Sequence, residues 1–180
     1  MGTRMRRHLI TLLIAGLGLS SSSQAADGIA VTGGWGDDST SMAQISLTHQ
    51  WDRTWFNGGN RFLGGYWEVS VGHWHSTDTG GKGIWDVGFA PVFRFQSKAG
   101  GVKPYVEGAI GLHLISDTHV NVDRDMGSAF QFGDHLGIGL VFGDRGQMDL
   151  GYRFQHLSNA DIKSPNDGID FQQIRFVYYF

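Results

Sequence analysis

The stretch FQQIRFVYYF, residues Phe171 to Phe180, decides the fold. Ile174, Phe176, Tyr178 and Phe180 fall on one face of an extended chain, while Gln173, Arg175, Val177 and Tyr179 fall on the other. A period of two is the mark of a strand whose faces meet different surroundings. The segment before it repeats the pattern, with Met148, Leu150, Tyr152 and Phe154 set against Asp149, Gly151, Arg153 and Gln155. Further back, Leu136, Ile138, Leu140 and Phe142 alternate with Gly137, Gly139 and Val141. Val106, Ile110, Leu112 and Leu114 oppose Tyr105, Glu107, Ala109 and His113, and Trp85, Val87, Phe89, Phe93 and Phe95 oppose Asp86, Ala90, Arg94 and Gln96. Fainter runs at Trp67-Val69-Val71, Ile45-Leu47 and Ile29-Val31 complete the series. Eight strands are predicted, at 28–36, 42–51, 65–75, 84–97, 103–115, 129–143, 147–158 and 170–180, separated by Gly, Asp, Asn and Ser clusters.

Most of these runs reach the ~9–11 residues that cross a bilayer when tilted. A soluble, lipocalin-like barrel would turn its apolar face inward, and a membrane barrel turns it outward. The polar face decides between them, because it carries Asp86, Arg94, Glu107, Asp149, Arg153 and Arg175, opposite charges that can pair in a narrow lumen. Glycines on that face leave room for larger side chains. The predicted architecture is therefore all-β: an eight-stranded antiparallel transmembrane β-barrel of the bacterial outer membrane. Composition agrees, with 28 glycines, 13% aromatics and 17% charged residues, the last below the ~25% of an average soluble domain.

Arg4, Arg6 and Arg7, the apolar run Leu9–Leu19 and the small-x-small site Ser23-Gln24-Ala25 read as a secretory signal peptide, residues 1–25. Residues 26–180 are then one domain. Losing three arginines takes the formal charge from −3 to −6, which gives no electrostatic footprint for nucleic acid. The absence of cysteine excludes a disulfide framework and thiol chemistry.

One segment does not fit a purely structural barrel. Tyr152, Phe154, His156 and Ser158 share the apolar face, and so does Asp170 at the start of the last strand. An antiparallel pair brings the end of strand seven beside the start of strand eight. The loop between them holds the turn signal Pro165-Asn166-Asp167-Gly168. Three polar residues on a lipid-facing wall are costly without a function. A histidine can take the proton of a serine, and a carboxylate can orient that histidine. Asn159, Asn166 and backbone amides after Ser158 or around Gly168 are candidate oxyanion donors. With the C-terminus on the periplasmic side, where short turns are expected, this rim faces the outer leaflet and its lipopolysaccharide.

The motif His156-x-Ser158-Asn159-Ala160, followed by Pro165-Asn166-Asp167-Gly168-x-Asp170, resembles that of the PagL-type lipid A 3-O-deacylases. The signal peptide, strand count and terminal Phe180 extend the likeness. The resemblance implies an eight-stranded outer-membrane esterase that removes the acyl chain at position 3 of lipid A. It also implies no metal or cofactor, and a triad of Ser158, His156 and the residue at 170. The family residue there is glutamate. Asp170 is one carbon shorter, roughly 1.5 Å of reach, and Asp161 and Asp167 are the substitutes to consider.

Other features have blander readings. His73-Trp74-His75 puts two histidines on one face without a carboxylate partner and reads as an interfacial pair with Trp. Glu107, Arg94 and Arg175 read as lumen ion pairs, and Asp37-Asp38 and Gly58-Gly59 as turns or loops. A two-fold dimer is compatible with a small wall-active enzyme, though nothing in the sequence requires one. The competing functions are a structural or adhesive barrel, and another lipid enzyme such as a phospholipase or acyltransferase.

Overall fold

Alternation becomes a closed sheet in the computed structural model, which describes residues 26–180; the leader expected at 1–25 lies outside them. The strands are β1 (Gly28–Gly36), β2 (Thr40–Gln50), β3 (Arg61–Ser76), β4 (Gly83–Ser97), β5 (Lys103–Ile115), β6 (Phe130–Phe142), β7 (Met148–Ser158) and β8 (Ile169–Tyr179). Each pairs antiparallel with the next, and β1 pairs with β8 to close the barrel. Closure removes both sheet edges, which hydrocarbon would otherwise leave without hydrogen-bond partners.

Burial follows the predicted parity. Leu136, Ile138, Ile174 and Phe176 are exposed on the outer wall, and Asp86, Arg94, Glu107, Asp149, Arg153 and Arg175 are buried inside. The lumen charges of opposite sign pair. Arg94 bridges Glu107 (2.7 Å) and Asp149 (2.8 Å), and Arg153 bridges Glu107 (2.7 Å) and Glu68 (3.1 Å). Arg175 pairs with Glu68 at 2.7 Å, a residue that the faint β3 pattern had left unremarked. Removing one member of such a network would leave a buried charge uncompensated. Glycines do make room: a Cβ on Gly139 or Gly151 would lie 2.3 or 2.4 Å from the Tyr105 hydroxyl.

Above the charged layer, the lumen is plugged by Met42, Trp74, Ile84, Ile115, Val120, Met126, Leu157, Ile169 and Phe171. Val120 and Met126 belong to the 116–129 loop, which folds into the barrel mouth.

Two expectations are corrected. β3 begins at Arg61 rather than 65, because Gly64-Gly65 hides the alternation; a Cβ on Gly65 would sit 2.3 Å from the Trp51 ring. The rim carrying the C-terminus also has a long connection, 51–60, as well as the short ones at 98–102 and 143–147. Its Trp51 packs on Trp67 (5.5 Å between centroids) and Phe93 (4.9 Å), forming an aromatic belt at the membrane boundary.

Candidate active site

The register places His156 directly opposite Asp170. Both side chains point to the outer wall and are close to half exposed, and His156 Nδ1 lies 2.6 Å from Asp170 Oδ1. Asp170 thus reaches His156 without a longer side chain, because the two stand on directly paired positions. With Nδ1–H donated to the carboxylate, Nε2 is the basic nitrogen. Ser158 lies two residues further along the same face of β7, roughly 6.5 Å away by strand rise. Among the described residues, nothing is hydrogen-bonded to the Ser158 hydroxyl. Catalytic hydrogen bonds often tighten only with substrate present.

The residues between these three hold them still. Leu157, between His156 and Ser158, points inward and is buried; Ile169 and Phe171 flank Asp170 and do the same. All three belong to the apolar plug. A rigid core therefore backs the site.

Asn159 is fully buried and serves as the organiser of the 159–168 loop. Its side-chain nitrogen donates to the carbonyls of Met126 (2.9 Å), Lys163 (2.7 Å) and Pro165 (3.3 Å). Its backbone N–H donates to Asn166 Oδ1 at 2.8 Å. Of the two parts expected of Asn159, oxyanion donor or support, these contacts fit support, because its donors are committed to the loop. Asn166 also donates to Asp161 Oδ1 at 3.0 Å, which leaves one hydrogen of its amide. The backbone N–H groups of Ala160 and Gly168 have no partner among the described residues. Asp161 is held by Asn166, and Asp167 Oδ2 accepts from the Asp125 amide at 2.7 Å. Neither touches His156 among the described residues, whereas Asp170 does.

Gly168 has φ +63°, a left-handed conformation that favours glycine. It also borders the imidazole, since a Cβ there would lie 3.0 Å from His156 Cε1. Gly168→Ala therefore strains the loop and pushes on the ring. Misplacing a catalytic group by a fraction of an ångström to an ångström can cost up to about 100-fold. We expect a loss of about tenfold or more in kcat with KM little changed, measured by steady-state kinetics on the refolded variant.

Sequence reading missed Asp37. It lies in the tight turn expected of it, but its carboxylate accepts the Asp170 N–H at 3.1 Å, and its own N–H donates to the Asp170 carbonyl at 3.1 Å. No local pattern signals this, because the contact arises only when β8 closes on β1.

An apolar groove descends the outer wall from His156. Its upper part, about 580 Å³, is lined by Pro91, Phe93, Gly108, Ile110, Leu136 and Phe154, with Asp134 and His156 at its head. Asp134 is the cross-strand partner of His156 on β6. Phe93, Gly108, Leu136 and Phe154 continue into a lower part of about 600 Å³ that reaches Phe95, Val106, Ile138 and Tyr152. His73 and His75 stand on a distant part of the wall, where His73 packs against Trp85 at 4.9 Å.

Comparison with known proteins converges on one family. The model described as "Lipid A 3-O-deacylase (PagL)" matches residues 40–179. The lipid A deacylase PagL of Pseudomonas aeruginosa is 37% identical over 150 residues, covering 83% of this chain and 84% of that protein. The lipid A deacylase PagL of Bordetella bronchiseptica is 29% identical over 180 residues, covering 96% and 93%. The crystal structure of the outer membrane enzyme PagL superposes with a TM-score of 0.78 at 31% identity, covering 85% of this chain and 99% of that one.

Proposed function

Because this chain belongs to the lipid A 3-O-deacylase family, we propose that it hydrolyses the ester-linked 3-hydroxyacyl chain at the 3-position of lipid A, working from the outer leaflet of the outer membrane. The observation that carries this reading is the His156–Asp170 pair, on the lipid-facing wall with Ser158 beside it, at the head of an apolar groove. Polar chemistry on that wall has lipid as its neighbour.

The steps follow from the chain's own groups. Ser158 Oγ attacks the ester carbonyl while His156 Nε2 takes its proton. Asp170 fixes the imidazole tautomer and stabilises the imidazolium. The Ala160 and Gly168 amides and the remaining Asn166 hydrogen are the donors open to the oxyanion. Collapse expels the sugar 3-oxygen, which receives the proton from His156. Water, deprotonated by His156, then attacks the acyl-serine; the Oγ–acyl bond breaks, Ser158 Oγ takes the proton back from His156, and the fatty acid leaves. His156, Ser158 and Asp170 come from one chain, so the reading needs no second subunit.

The groove is the seat of the departing acyl chain, with Asp134 as a hydrogen-bond acceptor near its head. Gly108 belongs to both parts of it, and a Cβ there already approaches Leu136 Cδ2 to 3.2 Å. Each methylene denied burial is about 0.8 kcal/mol, so Gly108→Phe, obstructing two or more, should lower kcat/KM for a long acyl chain about tenfold. A short-chain ester should be hydrolysed as before. Incubating the wild type with lipid A and with glycerophospholipid, followed by mass spectrometry of both, tests the substrate class. Release of 3-hydroxy fatty acid from lipid A alone is expected; cleavage of glycerophospholipid alone would make the enzyme a phospholipase.

A further inference from the structure

We propose that Arg124 is a positioning residue for the catalytic pair, tying the 116–129 loop to both the 37–39 turn and the 159–168 loop and so fixing the backbone around Asp170 and His156. This rests on the triad reading above.

Arg124 reaches three segments at once. Its Nε donates to Asp38 Oδ2 at 2.5 Å, and its Nη2 lies 3.7 Å from Asp37 Oδ2. Its Nη1 donates to the Gly168 carbonyl and lies 3.4 Å from that of Asp167. The side chain is mostly buried, at 17% exposure. Two of these contacts, to Gly168 and Asp37, end one step from the chemistry. Gly168 borders the His156 ring, and Asp37 holds both backbone groups of Asp170. The loop that supplies Arg124 is itself anchored, with Val120 and Met126 buried in the barrel mouth and the Asp125 amide bound to Asp167 Oδ2.

The chemistry calls for arginine. A planar guanidinium can satisfy a carboxylate on one edge and a carbonyl on the other, whereas an ammonium offers one compact point of charge. Lysine at 124 would keep the charge and lose the two-sided bridge. The guanidinium also holds the Asp38 carboxyl below its ordinary range by hydrogen bonding, although partial burial opposes this. Its folded value being depressed, Asp38 contributes stability above its ordinary value of 3.8, and that contribution is lost only as pH falls through the lowered value. The clamp therefore stays charged throughout the neutral range.

The test combines Arg124→Ala and Arg124→Lys with Asp170→Asn in the full-length refolded barrel, with folding checked by heat-modifiable gel migration. Two rates are read: kcat and KM on lipid A, and labelling of Ser158 by a fluorophosphonate, which needs no lipid. Arg124→Ala should lower kcat about tenfold or more at unchanged KM and slow labelling in parallel. Arg124→Lys should recover part of the loss. In the Asp170→Asn background, Arg124→Ala should cost little more, because residues acting through one unit are non-additive.

Unchanged kcat and labelling would overturn the proposal. So would a loss confined to KM, which would make Arg124 a substrate ligand, or losses that simply add. If Arg124→Ala does not fold, Asp38→Asn replaces it; a smaller loss of the same kind is expected, and wild-type rates would count against the clamp. A wild type that labels at Ser158 but spares lipid A would sink the substrate assignment while leaving the clamp to be judged on labelling. A wild type that does neither would remove the triad and the clamp together.

Discussion

Ser158→Ala is expected to lower the rate of lipid A deacylation by about 10⁴-fold or more while the barrel assembles normally. In the proposed mechanism the Ser158 hydroxyl is the group that forms the acyl-enzyme. Its removal leaves the His156–Asp170 contact and the groove in place, so substrate binding should persist. Ser158 is partly exposed at the end of β7 and its hydroxyl makes no hydrogen bond among the described residues, so the fold loses little. His156→Ala should be comparably severe, and the double variant no worse than either alone, because nucleophile and base act as one unit. Steady-state kinetics on refolded protein, with melting followed by circular dichroism, checks both halves of the expectation. A Ser158→Ala enzyme retaining a tenth of the activity would remove serine from the mechanism.

Asp170→Asn should lower kcat on the order of 10³-fold. An amide can offer an N–H where the carboxylate accepted one, which favours the wrong imidazole tautomer, and it cannot stabilise the imidazolium. Fully buried triad acids lose more; Asp170 is 42% exposed, so water offsets part of its loss. Asp170→Glu tests the departure from the family residue. The existing contact is already 2.6 Å, so a longer side chain must bend outward to keep it, and the half-open wall allows that. Activity within about tenfold of wild type is expected. Full activity in Asp170→Asn, measured alongside it, would dismiss the third member of the triad.

Much of this architecture was legible because a strand on a membrane wall writes its two environments into alternate residues. Parity alone placed His156, Ser158 and Asp170 on the outer face, and the closing registers put His156 opposite Asp170. Reading failed where side chains were missing or contacts were distant. Gly64-Gly65 carries no alternation, so the start of β3 was lost; Glu68 lay inside the predicted strand but drew no notice because the β3 pattern is faint. Asp37-Asp38 read as an ordinary turn and Arg124 carried no signal, because their partners lie across the β1–β8 seam or in another loop. Asn159 was recognised as part of the site but assigned free donors. Only the folded loop shows that Met126, Lys163, Pro165 and Asn166 occupy them. The groove, too, is assembled from β4 to β7 and has no linear signature.

The most direct test of the central claim is the mass spectrum of lipid A after incubation with the wild type and with Ser158→Ala. The account predicts that the wild type removes one 3-hydroxyacyl chain, that fragmentation places the loss at the 3-position, and that Ser158→Ala leaves lipid A intact. Loss of the same chain at the same rate with both proteins, or intact lipid A with a folded and correctly oriented wild type, would contradict it.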